Sequence, residues 1–170
     1  LLDFAIADLV AEVASLADRR DCGTTADGPA TVAEWFRLGV ELEAKAPAEA
    51  REAYRRALAL DAGHADANVN LGRLLHEAGR PAEAALHYRR ALAGGADATA
   101  SYNLGVALED LHRPAEARAA YAVAIETNPE LADAHYNLAS LCERLGDGRA
   151  ALRHLRRYRE LAEHGAGTVR

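Results

Sequence analysis

The chain has 170 residues, half of them apolar and only 5 % aromatic, with a formal net charge of −6 at pH 7. That length suits one domain with a continuous core, and the negative surplus argues against bulk binding to nucleic acid or an anionic membrane. No apolar run approaches the roughly 18–20 residues of a membrane span, and no charged-then-apolar leader opens the chain.

Residues 1–20 read as an amphipathic helix, with Leu2, Ile6, Leu9, Val13 and Leu16 at alternating spacings of four and three. Such a seam serves either to cap the helices downstream of it or to pair with a second copy, making a homodimer through residues 1–20. Residues 21–30 are rich in glycine, threonine and aspartate and read as a linker loop. The chain starts without methionine, which suits a segment of a longer protein. Thr31 and Glu34 then form a capping-box pattern ahead of an apolar helical run.

From there the sequence repeats itself. Leu71-Gly72 returns as Leu104-Gly105 and as Leu138-Ala139, and Leu38-Gly39 stands one step upstream. Ala50, Ala84, Ala117 and Ala151 recur in the same way, followed by Tyr54, Tyr88, Tyr121 and Leu155. Each unit places apolar residues at helical spacing on both sides of a turn. Gly79-Arg80-Pro81 shows why the turn forms: glycine accepts a left-handed helix end, and proline suits the first position of a new helix. A period of about 33–34 residues with paired helices means stacked units that share one core.

These residues resemble the tetratricopeptide repeat (TPR) family. Trp35, Leu38-Gly39, Leu42, Ala50, Tyr54 and Ala57 carry the resemblance in the first unit, and Leu104-Gly105, Leu108, Ala117, Tyr121, Ala124 and Pro129 in the third. The fourth unit departs from the pattern at Ala139, Cys142 and Tyr158. The resemblance implies an all-α, right-handed α-solenoid of four helix pairs over residues 31–164. Units would start near 32, 65, 98 and 132, with the extra N-terminal helix before them and a flexible tail over residues 165–170. Leu58, Leu92 and Ile125 should pack on the following unit, and Arg159 takes that place in the fourth. With Arg149, Arg153, Arg156 and Arg157 it reads as the polar outer face that a last repeat needs. The same arginines could instead touch phosphates, but they also suit a helix C-terminus.

No sequence pattern for catalysis is present: no phosphate loop, no dinucleotide fingerprint, no H-E-x-x-H and no G-x-S-x-G. The seven histidines are scattered, and Glu109 with His112 makes at most half of a metal site. Neither an enzyme, a cofactor nor a metal is expected. Cys22 and Cys142 make no disulfide framework, so a reducing cytoplasm is the expected location.

By the resemblance, the first helix of each unit lines a concave groove that binds a protein or peptide. The groove positions are Phe36, Arg37, Val40 and Glu43 in the first unit, and Asp66, Val69, Asn70, Arg73, His76 and Glu77 in the second. The third gives Thr99, Tyr102, Asn103, Val106, Glu109 and Asp110, and the fourth Asp133, Tyr136, Asn137, Ser140, Glu143 and Arg144. Asn70, Asn103 and Asn137 recur at one place, where they would either pair with a peptide backbone or tie helices together. Carboxylates outnumber guanidiniums in this set, so an extended segment with basic and apolar residues is the expected ligand. The lysine, asparagine and arginine clamp of chaperone-binding relatives is mostly replaced, by Phe36, Val40, Thr99 and Asn103. A looser resemblance is to the TPR half of bacterial MerR-type winged-helix regulators, in which this segment would sense or dimerise without touching DNA. A self-associating structural module is the third expectation.

Overall fold

The computed structural model describes residues 31–167, and side chains as far as residue 164. The helix expected over residues 1–20, the linker over 21–30 and any dimer seam lie outside the described residues.

Among the described residues eight helices follow one another: α1 (Val32–Leu42), α2 (Pro47–Leu60), α3 (Ala65–Glu77), α4 (Pro81–Leu92), α5 (Ala98–Asp110), α6 (Pro114–Thr127), α7 (Ala132–Arg144) and α8 (Gly148–Gly167). They make four antiparallel pairs, each packed on the next. α1 starts where the capping box puts it: Glu34 N–H donates to Thr31 Oγ1 at 3.3 Å, and Thr31 N–H donates to the Glu34 carboxylate at 2.8 Å. The described residues hold no strand, and no helix among them is long and apolar enough to cross a membrane. α8 runs through Gly165 to Gly167, three residues beyond the helix end expected at His164.

Two devices shape the turns inside the pairs, and each serves three of the four. Pro47, Pro81 and Pro114 open α2, α4 and α6, where a missing N–H costs no helix hydrogen bond. Gly79 has φ +73° and Gly146 has φ +80°, and the next residue's N–H closes back on the preceding helix: Arg80 onto the Leu75 carbonyl, Asp147 onto that of Cys142. In the third repeat His112 stands at that place, with φ +56°, and Arg113 N–H closes onto the Leu108 carbonyl at 2.9 Å. A β-carbon in the left-handed region costs roughly 1–2 kcal/mol, so this turn is held against a local penalty.

The core explains the Leu-Gly and tyrosine signature. Tyr54, Tyr88 and Tyr121 are fully buried, and each ring lies on the glycine of its own first helix. A β-carbon added at Gly39, Gly72 or Gly105 would come within 2.5–2.7 Å of the nearest ring carbon, far inside ordinary contact. The fourth repeat changes both members together: Ala139 is buried where glycine stood, and Leu155 replaces the tyrosine. Leu155 is 37 % exposed, so the fourth repeat has no buried tyrosine ring for the Ala139 methyl to meet.

A second set of facing side chains occupies equivalent places in the second, third and fourth pairs. Asn68 is buried and bonds to His87 Nδ1 at 2.9 Å, while its amide donates to the Ala62 and His64 carbonyls at 3.0 Å. In the fourth repeat His135 and His154 take these two places, with their Nδ1 atoms 3.1 Å apart. In the third the pair is Ser101 and Ala120, so the buried Ser101 hydroxyl has no partner.

Ile125 lines a cavity of about 250 Å³ together with Leu138 and Cys142 of the next repeat. Arg159 is exposed, but Leu152 and Leu155 are exposed on the same helix, so the outer face of α8 is mixed rather than wholly polar.

Candidate peptide groove

Hydrogen bonds and ion pairs align the first helices side by side. Arg73 of α3 reaches back to Glu43, which follows α1. His76 of α3 meets Asp110 at the end of α5, 2.6 Å apart. Asn137 of α7 donates to the Tyr102 hydroxyl of α5 at 3.2 Å, and Arg144 reaches Glu109. Neighbouring first helices also touch directly at α3 and α5. Contact between alternate helices is what the inner side of a curved stack requires, so α1, α3, α5 and α7 form the groove wall.

Sixteen of the groove positions expected from the sequence fall into three groups on this wall. Arg73, His76, Glu109 and Asp110 are engaged between repeats. Arg73 bridges Glu43 and Glu77, and Glu109 accepts from the Tyr121 hydroxyl at 2.9 Å as well as from Arg144. Glu43 does the same two repeats earlier, accepting from Tyr54 at 2.5 Å and from Arg73. This line of ties joins neighbouring repeats along the wall, and each of its carboxylates has a partner there. In the sequence these groups look available to a ligand, because pairing between residues a whole repeat apart leaves no local signal.

The asparagines form the second group. Asn70 donates to the Tyr54 hydroxyl at 3.1 Å and Asn137 to that of Tyr102, so one amide hydrogen of each is used between helices. Both remain only half-buried, with the amide oxygen free of any hydrogen bond among the described residues. Asn103, also half-buried, makes no side-chain hydrogen bond there. Inter-helix bonding and a ladder for a peptide backbone are therefore compatible at these positions.

Open surface makes up the third group. Tyr136 is 51 % exposed, and Phe36, Val69, Tyr102, Val106 and Ser140 are half-buried along the wall. Phe36 lies against Tyr54 and His64, with ring centroids 5.7 and 5.1 Å away, and Tyr136 lies 5.2 Å from Tyr158. Asp66, Asp133 and Glu143 are exposed and have no ion-pair partner among the described residues. Burial pushes the Tyr102 hydroxyl above its ordinary pKa, and the negative charge of Asp133 adds to that shift.

A family model described as Tetratricopeptide repeat matches residues 40–101, 88–132 and 102–166. Among solved structures, a crystal structure of MamA is 24 % identical, with 80 % of this chain and 81 % of that one covered and a TM-score of 0.75. A second MamA crystal structure gives 23 % identity, coverage of 82 % and 77 %, and a TM-score of 0.72. MamA residues 41 to the end from Desulfovibrio magneticus RS-1 give 23 % identity, coverage of 78 % and 76 %, and a TM-score of 0.71. At that identity the likeness shows the fold alone. None of the curated proteins compared with the chain matches it by sequence. The repeated match runs over most of the sequence, and the chain belongs to the tetratricopeptide repeat family, whose fold is that of a protein-interaction module.

Proposed function

We propose that the groove wall of α1, α3, α5 and α7 binds an extended peptide segment that carries basic residues with apolar ones between them. The observation that carries this reading is the pattern of open surface: exposed Val40 and Tyr136, with half-buried Phe36, Val69, Tyr102 and Val106, form an apolar line across all four repeats. Carboxylates without ion-pair partners, Asp66, Asp133 and Glu143, stand beside that line. A concave surface with surplus negative charge focuses its field on cations, and the free amide oxygens of the asparagines suit backbone N–H groups. Affinity of about micromolar, roughly −8 kcal/mol, is the expected scale for such a contact.

A peptide array probed at low and high salt tests this. Wild type should retain basic-apolar peptides and lose them as salt rises, because exposed charges are screened. The Asn70/Asn103/Asn137→Ala variant should bind more weakly at unchanged helicity. Preference for acidic peptides, or undiminished binding by a folded triple variant, contradicts the reading.

A further inference from the structure

The four repeats are variations on one junction, so they act as internal controls for what each junction can recognise. Where the first repeat meets the second, the wall offers Phe36, Asp66, Val69 and Asn70; where the second meets the third, Val69, Thr99, Tyr102 and Asn103. At the junction of the third and fourth stand Tyr102, Asp133, Tyr136 and Asn137. Only this last set joins two tyrosines to a carboxylate.

Its parts are held in place from behind. Tyr102 is fixed by the 3.2 Å bond from Asn137 and by Tyr121 beneath it, with ring centroids 5.9 Å apart. Tyr136 is backed by Tyr158 yet remains half exposed. Asp133 lies three residues before Tyr136 and four before Asn137 on α7, so all three share one helix face, and side chains of a helix lean toward its N-terminus. The carboxylate is exposed and has no ion-pair partner among the described residues, unlike Glu43, Glu109 and Asp110.

We propose that this junction is a cation-recognition subsite, in which Asp133 and the rings of Tyr102 and Tyr136 receive an arginine side chain of the bound segment. The inference rests on the groove reading and adds where its basic residue sits. A planar guanidinium stacks on an aromatic face while its N–H fork meets a carboxylate, which a lysine ammonium cannot do as well.

Two probes separate the subsite from the groove. The first is N-acetyl-arginine methylamide against its uncharged analogue N-acetyl-citrulline methylamide, titrated into the whole chain while the tyrosine ring resonances are followed by NMR. The arginine probe should shift Tyr102 and Tyr136 but not Tyr54, and should bind about fivefold more tightly than the citrulline probe. Asp133→Asn and Tyr136→Leu should each abolish that preference, and Asp66→Asn should keep it, with thermal melts confirming that all three are folded. Equal response to the two probes, or a preference lost in Asp66→Asn and kept in Asp133→Asn, overturns the subsite. The second probe is a labelled peptide of alternating arginine and leucine. A subsite response without peptide binding supports the subsite and removes the groove reading; peptide binding without arginine preference at Tyr102 and Tyr136 overturns the subsite alone.

Discussion

Adding one methyl group at Gly105 tests the packing of the repeats. Alanine is the better helix former by about 1 kcal/mol, so on propensity alone Gly105→Ala should stabilise α5. The structure opposes this. The new β-carbon would lie 2.5 Å from Tyr121 Cε1, 2.6 Å from Cδ1 and 2.9 Å from Cζ, where carbon pairs prefer about 3.5–4.0 Å. The Tyr121 ring must therefore move by about an ångström. It is fully buried, rests on Tyr102 and is anchored through its hydroxyl to Glu109. Overpacking of a fixed ring costs about 1–3 kcal/mol, occasionally more, which matches or outweighs the propensity gain. We expect a net loss of up to about 2 kcal/mol in a urea titration followed by circular dichroism. Tyr121→Leu, which copies the Ala139 and Leu155 combination of the fourth repeat, should relieve the clash. A double-mutant cycle should then show favourable coupling of about 1–2 kcal/mol. A stabilised Gly105→Ala, or strictly additive effects, would refute the ring-on-glycine explanation.

His112→Gly should raise stability by about 0.5–1 kcal/mol in the same titration, since glycine accepts φ +56° without a β-carbon penalty but loses more chain entropy on folding. Ser101→Ala should be neutral or stabilising by up to about 1 kcal/mol, because it removes a buried hydroxyl with no partner; a clear loss would mean that the hydroxyl is satisfied in solution. The third prediction concerns pH. Burial lowers the pKa of His135, against the Pro129 carbonyl and helped by Arg157, and it lowers that of His154, where His135, Arg153 and Arg118 add to the effect. The unfolded chain then binds more protons, so the stabilisation is complete above about pH 6.5, declines as pH falls toward the lowered folded values, and is flat below them. His135→Asn, which copies the Asn68 and His87 pair, should reduce that slope in melts between pH 7 and 5. Part of it should remain, because burial also lowers the pKa of His87; an unchanged slope would place the effect elsewhere.

What was legible in the sequence depended on distance along the chain. The Leu-Gly, alanine and tyrosine positions recur at a fixed period, and a repeated local pattern already implies the stacking that buries Tyr54, Tyr88 and Tyr121. Gly79-Arg80-Pro81 announced its left-handed turn through its glycine. The equivalent turn at His112 was silent, because histidine at φ +56° looks in sequence like histidine anywhere. In the groove, the choice of first-helix positions followed from the period, but the state of each charge did not. Glu43 and Arg73, or Glu109 and Arg144, meet only once adjacent repeats are packed. Their pairing leaves Asp66, Asp133 and Glu143 as the charges open to a partner, a narrower set than composition suggested.

Amide chemical-shift mapping with the labelled arginine–leucine peptide tests groove binding most directly, because it reports which helices meet the ligand. Perturbations should concentrate on α1, α3, α5 and α7, strongest near Tyr102, Asp133 and Tyr136, with α2, α4 and α6 little changed. Perturbations centred on the second helices, with the first helices silent, would contradict binding in the groove.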